Sequence, residues 1–229
     1  VTITNVTSQS AMIANQGPNA EKYLQRLTAT DLSLVRPFSA VEANVAGHPA
    51  LVARTGYTGE DGFEIILPAD TAPTIWNNLV ESGSVPCGLG ARDVLRLEAG
   101  LLLHGNDMNL TINPYEASLD KFVKLERPDY IAGSNLNRIK TSKLIRKIVG
   151  FKMIERGIAR HGYAISNGNT LIGDVSSGGP SPTLDMNIGL GYVPTEYSTP
   201  GSAIQILIRG RPVKAEVTTL PFYKRRRNA

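Results

Sequence analysis

Arg54-Thr55-Gly56-Tyr57-Thr58-Gly59-Glu60-Asp61-Gly62-Phe63-Glu64-Ile65 puts three glycines into seven residues and then passes straight into an apolar run. Glycine tolerates the tight and positive-φ turns that other residues avoid, so the stretch reads as a loop between strands, able to approach a flat ligand closely. Upstream, residues 41–46 and 50–54 are apolar or alternating runs split by Gly47-His48-Pro49, the pattern of a hairpin. Downstream, residues 63–67 form a strand. Asp70 then caps a helix reaching about residue 81, with Ile75, Trp76, Leu79 and Val80 facing inward. A short apolar segment at 85–89 feeds a further helix over 91–102. Nearer the start, residues 11–14 make a small apolar stretch, and Gly17-Pro18 turns the chain into a helix over 19–27. The order β-α-β-β-β-α-β-α predicts an α+β layer, its helices packed on a mainly antiparallel sheet.

Further along, periodicity weakens between residues 119 and 146, where Pro128 and Gly133 interrupt the chain and one polar helix is expected near 134–143. Beyond this connector, short strands recur with frequent Gly and Pro, at residues 144–153, 164–165, 171–176, 188–193, 203–208 and 213–220. Strands at that spacing predict a small antiparallel β-barrel or sandwich. The expected organisation is an α+β domain at 1–118, a connector at 119–146 and a β-barrel at 147–229.

The 229 residues carry 24 Lys+Arg against 20 Asp+Glu, a net charge of +4, and 41% are hydrophobic against 19% charged. That balance describes a packed globular chain and excludes disordered, collagenous and coiled-coil classes. Lys224, Arg225, Arg226 and Arg227 supply four positive charges at one end, so the body is neutral and reads as no nucleic-acid binder. A single cysteine, Cys87, allows no internal disulfide, and paired Cys/His metal spacing is absent. No apolar run reaches the ~18 residues of a membrane span. The first residue is Val1 rather than Met, which raises the expectation of a processed or truncated product.

Two positions draw attention on physical grounds. Glu64 lies between Phe63 and Ile65 in an apolar strand and shares a face with Ile66, so its carboxylate calls for a partner: an arginine of the protein, or a ligand with adjacent N–H donors. Arg92 falls in the first turn of a helix, where the dipole disfavours a cation and an acidic or ligand partner would compensate. Asp93 beside it complements the dipole, and a structural ion-pair network of Arg96 and Glu98 is the open alternative. Gly88-Leu89-Gly90-Ala91-Arg92-Asp93 begins like a dinucleotide fingerprint, but Asp occupies its sixth position and the strand–helix–strand unit is lacking. Residues 176–183 have the glycines of a phosphate loop without its Lys-Ser/Thr, and read as a rigid turn between barrel strands. His48, His104 and His161 have no nucleophile at a telling distance and read as structural or solvated.

Taken together, RTGYTGEDGFEI at 54–65, CGLGARDVLRLEAG at 87–100, Gly105-Asn106-Asp107, Gly157-Ile158-Ala159-Arg160, residues 176–183 and Gly191-Tyr192-Val193-Pro194 resemble the aminomethyltransferase family, the T-proteins of the glycine cleavage system. The resemblance runs nearly end to end, from Gln16-Gly17-Pro18-Asn19-Ala20 to Pro221-Phe222-Tyr223. It implies a reaction in which the aminomethyl group on the lipoyl arm of H-protein gives its methylene to tetrahydrofolate, with release of ammonia and without a metal. By position, Glu64 matches the family's pterin-binding glutamate, Arg92 its ligand-binding arginine and Tyr57 a tyrosine of the same pocket. Pterin presents a 2-amino group beside a ring N–H, which one carboxylate can accept in bidentate fashion. The implied partners are lipoylated H-protein and folate, with neither nucleic acid nor membrane. The implied location is the cytoplasm, or the mitochondrion in a eukaryote.

One departure stands at the start. The family carries a domain-sized stretch before the point matching Val1, including the aspartate thought to position folate, so the expectation is a C-terminal portion, inactive alone, with an exposed apolar face. Folate-dependent demethylases and the folate domains of related one-carbon enzymes are the alternative, since they share the glutamate and arginine pterin contacts. The folate-binding helper of iron–sulfur cluster maturation carries a Lys-Gly-Cys segment where Thr55 to Gly59 stand here, and the cysteine is missing.

Overall fold

Phe63, Ile65 and Leu67 alternate with Glu64, Ile66 and Pro68, and the computed structural model, which describes residues 1–126 and 131–225, buries the first three while leaving the second three on the opposite face. They belong to β4 (Gly62–Pro68), which lies between β1 (Ser10–Gln16) and β3 (His48–Ala53), and β2 (Ala40–Val45) completes an antiparallel sheet in the order β1-β4-β3-β2. Helices α1 (Ala20–Gln25) and α2 (Ala72–Glu81) cover one face, closing Leu24, Ile75 and Leu79 over Ile13, Val52, Phe63 and Ile65. Neither α1 nor α2 covers the other face. Met12, Leu51 and Ile66 are 55%, 41% and 37% exposed there.

Three local expectations change. The hairpin turn is Ala46-Gly47, both at positive φ (+49° and +87°), the two-residue geometry that matches strand twist. His48 and Pro49 therefore open β3 instead of forming the turn. Pro49 is tolerated because pairing of β3 with β4 begins only at Leu51, so no central ladder N–H is lost. The segment 85–89 forms no strand: Pro86 and Gly88 interrupt it, and Val85 and Leu89 are exposed. On α2, Ile75 and Leu79 form the buried stripe, whereas Trp76 and Val80, about 100° further round, face outward. Asp70 sits in a 3-10 turn before the helix, whose N-cap is Thr71.

Helix α3 (Leu89–Glu98) follows, and further along comes α4 (Gly133–Thr141), a polar helix with no buried residue. Pro128 lies outside the described residues. The chain then forms β5 (Arg146–Met153), β6 (Ala164–Asn167), β7 (Thr170–Ser181), β8 (Met186–Pro194), β9 (Ala203–Ile208) and β10 (Arg211–Thr218), closed into an antiparallel barrel in the order β10-β5-β8-β7-β6-β9. Phe151, Ile165, Val175, Val193, Ile206 and Val217 fill its interior. Gly189 makes that filling possible, since a Cβ there would come within 2.4 Å of the Phe151 ring. β7 is twice as long as expected, and residues 176–181 continue the strand instead of turning.

Contacts divide the chain into two compact units, one of residues Val1–Leu95 that also takes in Arg225, the other of Arg96–Lys224. The cut falls inside α3, so Arg92 belongs to the sheet unit and Arg96 and Glu98 to the barrel unit.

Candidate functional site

In the sheet unit, the glycine loop is fastened from both sides. From β1, the Gln16 amide nitrogen donates to the carbonyls of Thr55 (3.1 Å) and Phe63 (3.3 Å). A Cβ on Gly56 would lie 1.8 Å from the Gln16 amide oxygen, and one on Gly62 2.5 Å from it. These two glycines thus make room for a side chain of the protein itself, which corrects the reading of the whole triplet as clearance for a ligand. Only Gly59, at φ +78°, answers a backbone need.

Arg54 closes the loop's other end. It donates from Nε and Nη2 to both carboxylate oxygens of Asp61 (3.1 and 2.6 Å), from Nη2 to Glu21 (2.6 Å), and from Nη1 to the carbonyls of Leu32 and Val35 (3.0 and 3.2 Å). Its guanidinium carbon sits 5.2 Å from the Phe63 ring centre. The hydrogen bonds from Arg54 hold the Asp61 carboxyl below its ordinary value against the opposing effect of burial, and Asp61 raises Arg54 in return. Loop 55–61 is therefore a shaped platform.

On that platform the Arg92 guanidinium lies over the Tyr57 ring, 5.1 Å from its centre. A stacked guanidinium is held flat and keeps its N–H edges for a planar acceptor. Glu64 stands on the uncovered face of β4, half-buried, opposite Ala14 of β1 and Ala53 of β3. Those small neighbours leave space around it. Among the described residues no hydrogen bond or ion pair engages its carboxylate. Among the described residues no arginine pairs with Glu64: Tyr57 and Arg92 are brought together, and Glu64 stands apart from them on the open face.

In the barrel unit, sequence reasoning missed a buried polar cluster. Arg96, 2% exposed, donates to Asp107 (2.6 Å) and to Ser177 Oγ (2.8 Å). Asp107, fully buried, also accepts from Ser176 Oγ (2.5 Å) and from the backbone N–H of Leu103 (2.8 Å). Glu98 accepts from Ser181 Oγ (2.5 Å) and from the N–H of Thr183 (3.3 Å). Arg96 and Glu98 are both engaged within this cluster, Arg96 ion-paired with Asp107 and Glu98 hydrogen-bonded to Ser181 and Thr183. The available signal was Asp107 in Gly105-Asn106-Asp107 together with serines at 176, 177 and 181. The Tyr192 hydroxyl donates to the Asp107 carbonyl at 2.7 Å, and burial pushes its pKa well up, so it stays protonated.

Of the histidines, His48 begins β3 and His104 is exposed; only His161 makes a described side-chain bond, Nδ1 to the Ser176 carbonyl at 2.8 Å. Among the described residues, no three His, Cys, Asp or Glu side chains gather as a metal site, and no helix is long and apolar enough to cross a membrane.

An open antiparallel sheet presenting a lone carboxylate, followed by a closed six-stranded barrel, defines a two-unit α+β architecture, and comparison with known proteins gives it a family. Residues 1–127 match the family described as the GCVT N-terminal domain, and residues 146–224 match the glycine cleavage T-protein C-terminal barrel domain. An aminomethyltransferase of Rubrobacter xylanophilus is 48% identical over all of this chain, which covers 61% of that protein. One from a Thermoanaerobacter species is 46% identical over 98% of this chain and 62% of its own length. The crystal structure of glycine cleavage system aminomethyltransferase T from Bartonella henselae superposes with a TM-score of 0.74 at 25% identity, covering 95% of this chain and 85% of that one. The chain belongs to the glycine cleavage T-protein family. It spans about three-fifths of the length of these curated relatives.

Proposed function

We propose that this chain contributes the pterin-contacting side of a tetrahydrofolate site in an aminomethyltransferase of the glycine cleavage system. In that reaction the methylene of the aminomethyl group on lipoylated H-protein passes to tetrahydrofolate, while ammonia and the reduced lipoyl arm are released. The observation that carries the reading is Glu64: a half-buried carboxylate with no protein partner among the described residues, on a face left open by its own sheet. A carboxylate there fits a planar group with two adjacent N–H donors, which pterin has. Tyr57 and Arg92 form a stacked pair suited to hold a second planar or anionic part of the same ligand. Family membership supports folate and H-protein as partners, and the cytoplasm as the place of work.

Calorimetric titration of tetrahydrofolate into this chain and, in parallel, into the full-length product tests the assignment. Glu64→Gln should weaken binding by about tenfold or more in whichever of the two binds, the worth of one charge-assisted bidentate contact. Unchanged affinity in Glu64→Gln would overturn the role of Glu64. Turnover by the full-length product that does not depend on lipoylated H-protein would favour a folate-dependent demethylase instead.

A further inference from the structure

The barrel unit contains a cavity of about 450 Å³, in the size range of small-molecule sites, and none of its lining residues belongs to the Tyr57, Glu64 and Arg92 group. Its walls are mainly apolar: Ile112, Ile145, Ile172 and Pro194 line it, together with Tyr192. Three chemically active side chains join them, Arg146, Asp174 and His161.

Each of the three can be read for what it would recognise. Arg146 donates from Nε to Glu116 at 2.8 Å, and its guanidinium lies 5.4 Å from the Tyr192 ring centre. That arrangement engages Nε and leaves the Nη1–Nη2 edge, whose two parallel N–H bonds match a carboxylate. His161 Nδ1 faces the Ser176 carbonyl, which can only accept, so Nδ1 carries the proton and Nε2 of the neutral ring is an acceptor. Asp174 is an exposed carboxylate and likewise accepts. The cavity therefore combines one fork of donors, two acceptors and an apolar wall. Glu116 takes up the Nε side of Arg146 and accepts from the Asn113 N–H as well, so the groups left to a ligand are the Nη donors of Arg146 and the Asp174 carboxylate. A simple anion would meet Asp174, and a simple cation would meet Arg146, whereas a zwitterion satisfies both.

We infer that this cavity binds a zwitterionic small molecule with an apolar body, of the class of a free α-amino acid with a large hydrophobic side chain. The carboxylate pairs with Arg146, the ammonium with Asp174 and His161 Nε2, and the side chain lies against Ile112, Ile145 and Ile172. The site is independent of the folate assignment and rests on different residues.

Calorimetry and ligand-observed NMR on the folded chain, with L-phenylalanine and L-leucine as probes and phenylacetate and phenethylamine as single-charge controls, decide it. Saturable binding of an amino acid, about tenfold weaker for each control, is the expected result. Arg146→Gln and Asp174→Asn should each cost about the same factor, and the milder Arg146→Lys should retain part of the affinity. Circular dichroism and thermal melts establish that each variant is folded. Ile172→Trp, which fills the cavity without touching a charge, should abolish binding and provides a second route if the charge variants unfold. Absence of saturable binding up to about 10 mM, equal affinity for the single-charge controls, or binding that survives Ile172→Trp overturns the inference.

Discussion

The sheet unit and the barrel unit treat a carboxylate inside apolar surroundings in opposite ways. In the barrel, Asp107 is fully buried and accepts from Arg96, Ser176 and a backbone N–H. In the sheet, Glu64 is half-buried with no partner among the described residues. The difference follows from closure. Asp107 is closed off from water on every side, so its charge must be satisfied within the protein. A sheet covered on one side keeps its other face available, and a carboxylate there can wait for a ligand. A polar residue in an apolar strand therefore marks either structure or function, and its partners decide which.

The largest effect expected from this contrast is on the barrel side. Asp107→Ala leaves the buried Arg96 guanidinium, the Ser176 hydroxyl and the Leu103 N–H short of an acceptor and should cost about 3–5 kcal/mol of stability, read as a lowered urea midpoint. Glu64→Ala, the same chemical deletion on the open face, should move stability by no more than about 0.5 kcal/mol. Equal losses at the two positions would break the comparison.

Next in size is the clamp of the glycine loop. Arg54→Met removes charge-assisted bonds to Asp61 and Glu21 and should cost about 1.5–3 kcal/mol. It also carries a pH signature. The carboxyl of Asp61 is depressed in the folded chain below its ordinary value of 3.8, so the stability it contributes is fully present above that value and is lost as pH falls through the folded one. The stability gap between the wild type and Asp61→Asn should accordingly be constant between pH 5 and 7, and narrow steadily below about pH 4. A gap that widens in acid would contradict the assignment.

A smaller effect tests the glycines. Gly56→Ala displaces the Gln16 amide from its two carbonyl acceptors, at a cost of about 1–2 kcal/mol. In Gln16→Ala the obstacle is absent, so adding Gly56→Ala to it should cost almost nothing further. A thermodynamic cycle with additive effects would show that Gly56 serves something other than Gln16. Smallest of all is Lys152→Ala, which breaks a surface pair with Glu216, 36% and 38% exposed, and should change stability by less than about 1 kcal/mol at low salt and less again at high salt.

Much of this was legible in one dimension. The barrel strands could be read because short apolar runs between turn residues need only a period of two, and β9 was placed to the residue. Helix α2 followed from its helical spacing of apolar residues. Glu64 and Arg92 were legible because each violates a local rule: a charge inside an apolar strand, and a cation in a helix's first turn. The false strand at 85–89 shows the limit, since apolar content without a neighbouring strand forms no ladder.

Only the tertiary structure decided who meets whom. Arg96 finds Asp107 eleven residues away and Ser177 eighty-one away, Gly56 yields to Gln16 forty positions earlier, and Arg146, His161 and Asp174 come to one cavity from three stretches of chain. Local pattern by itself determined which residues face inward, because strand and helix periods are set by backbone geometry. The partner of each polar group depends on strand order and barrel closure, which bring distant segments within hydrogen-bond reach and which no local period encodes.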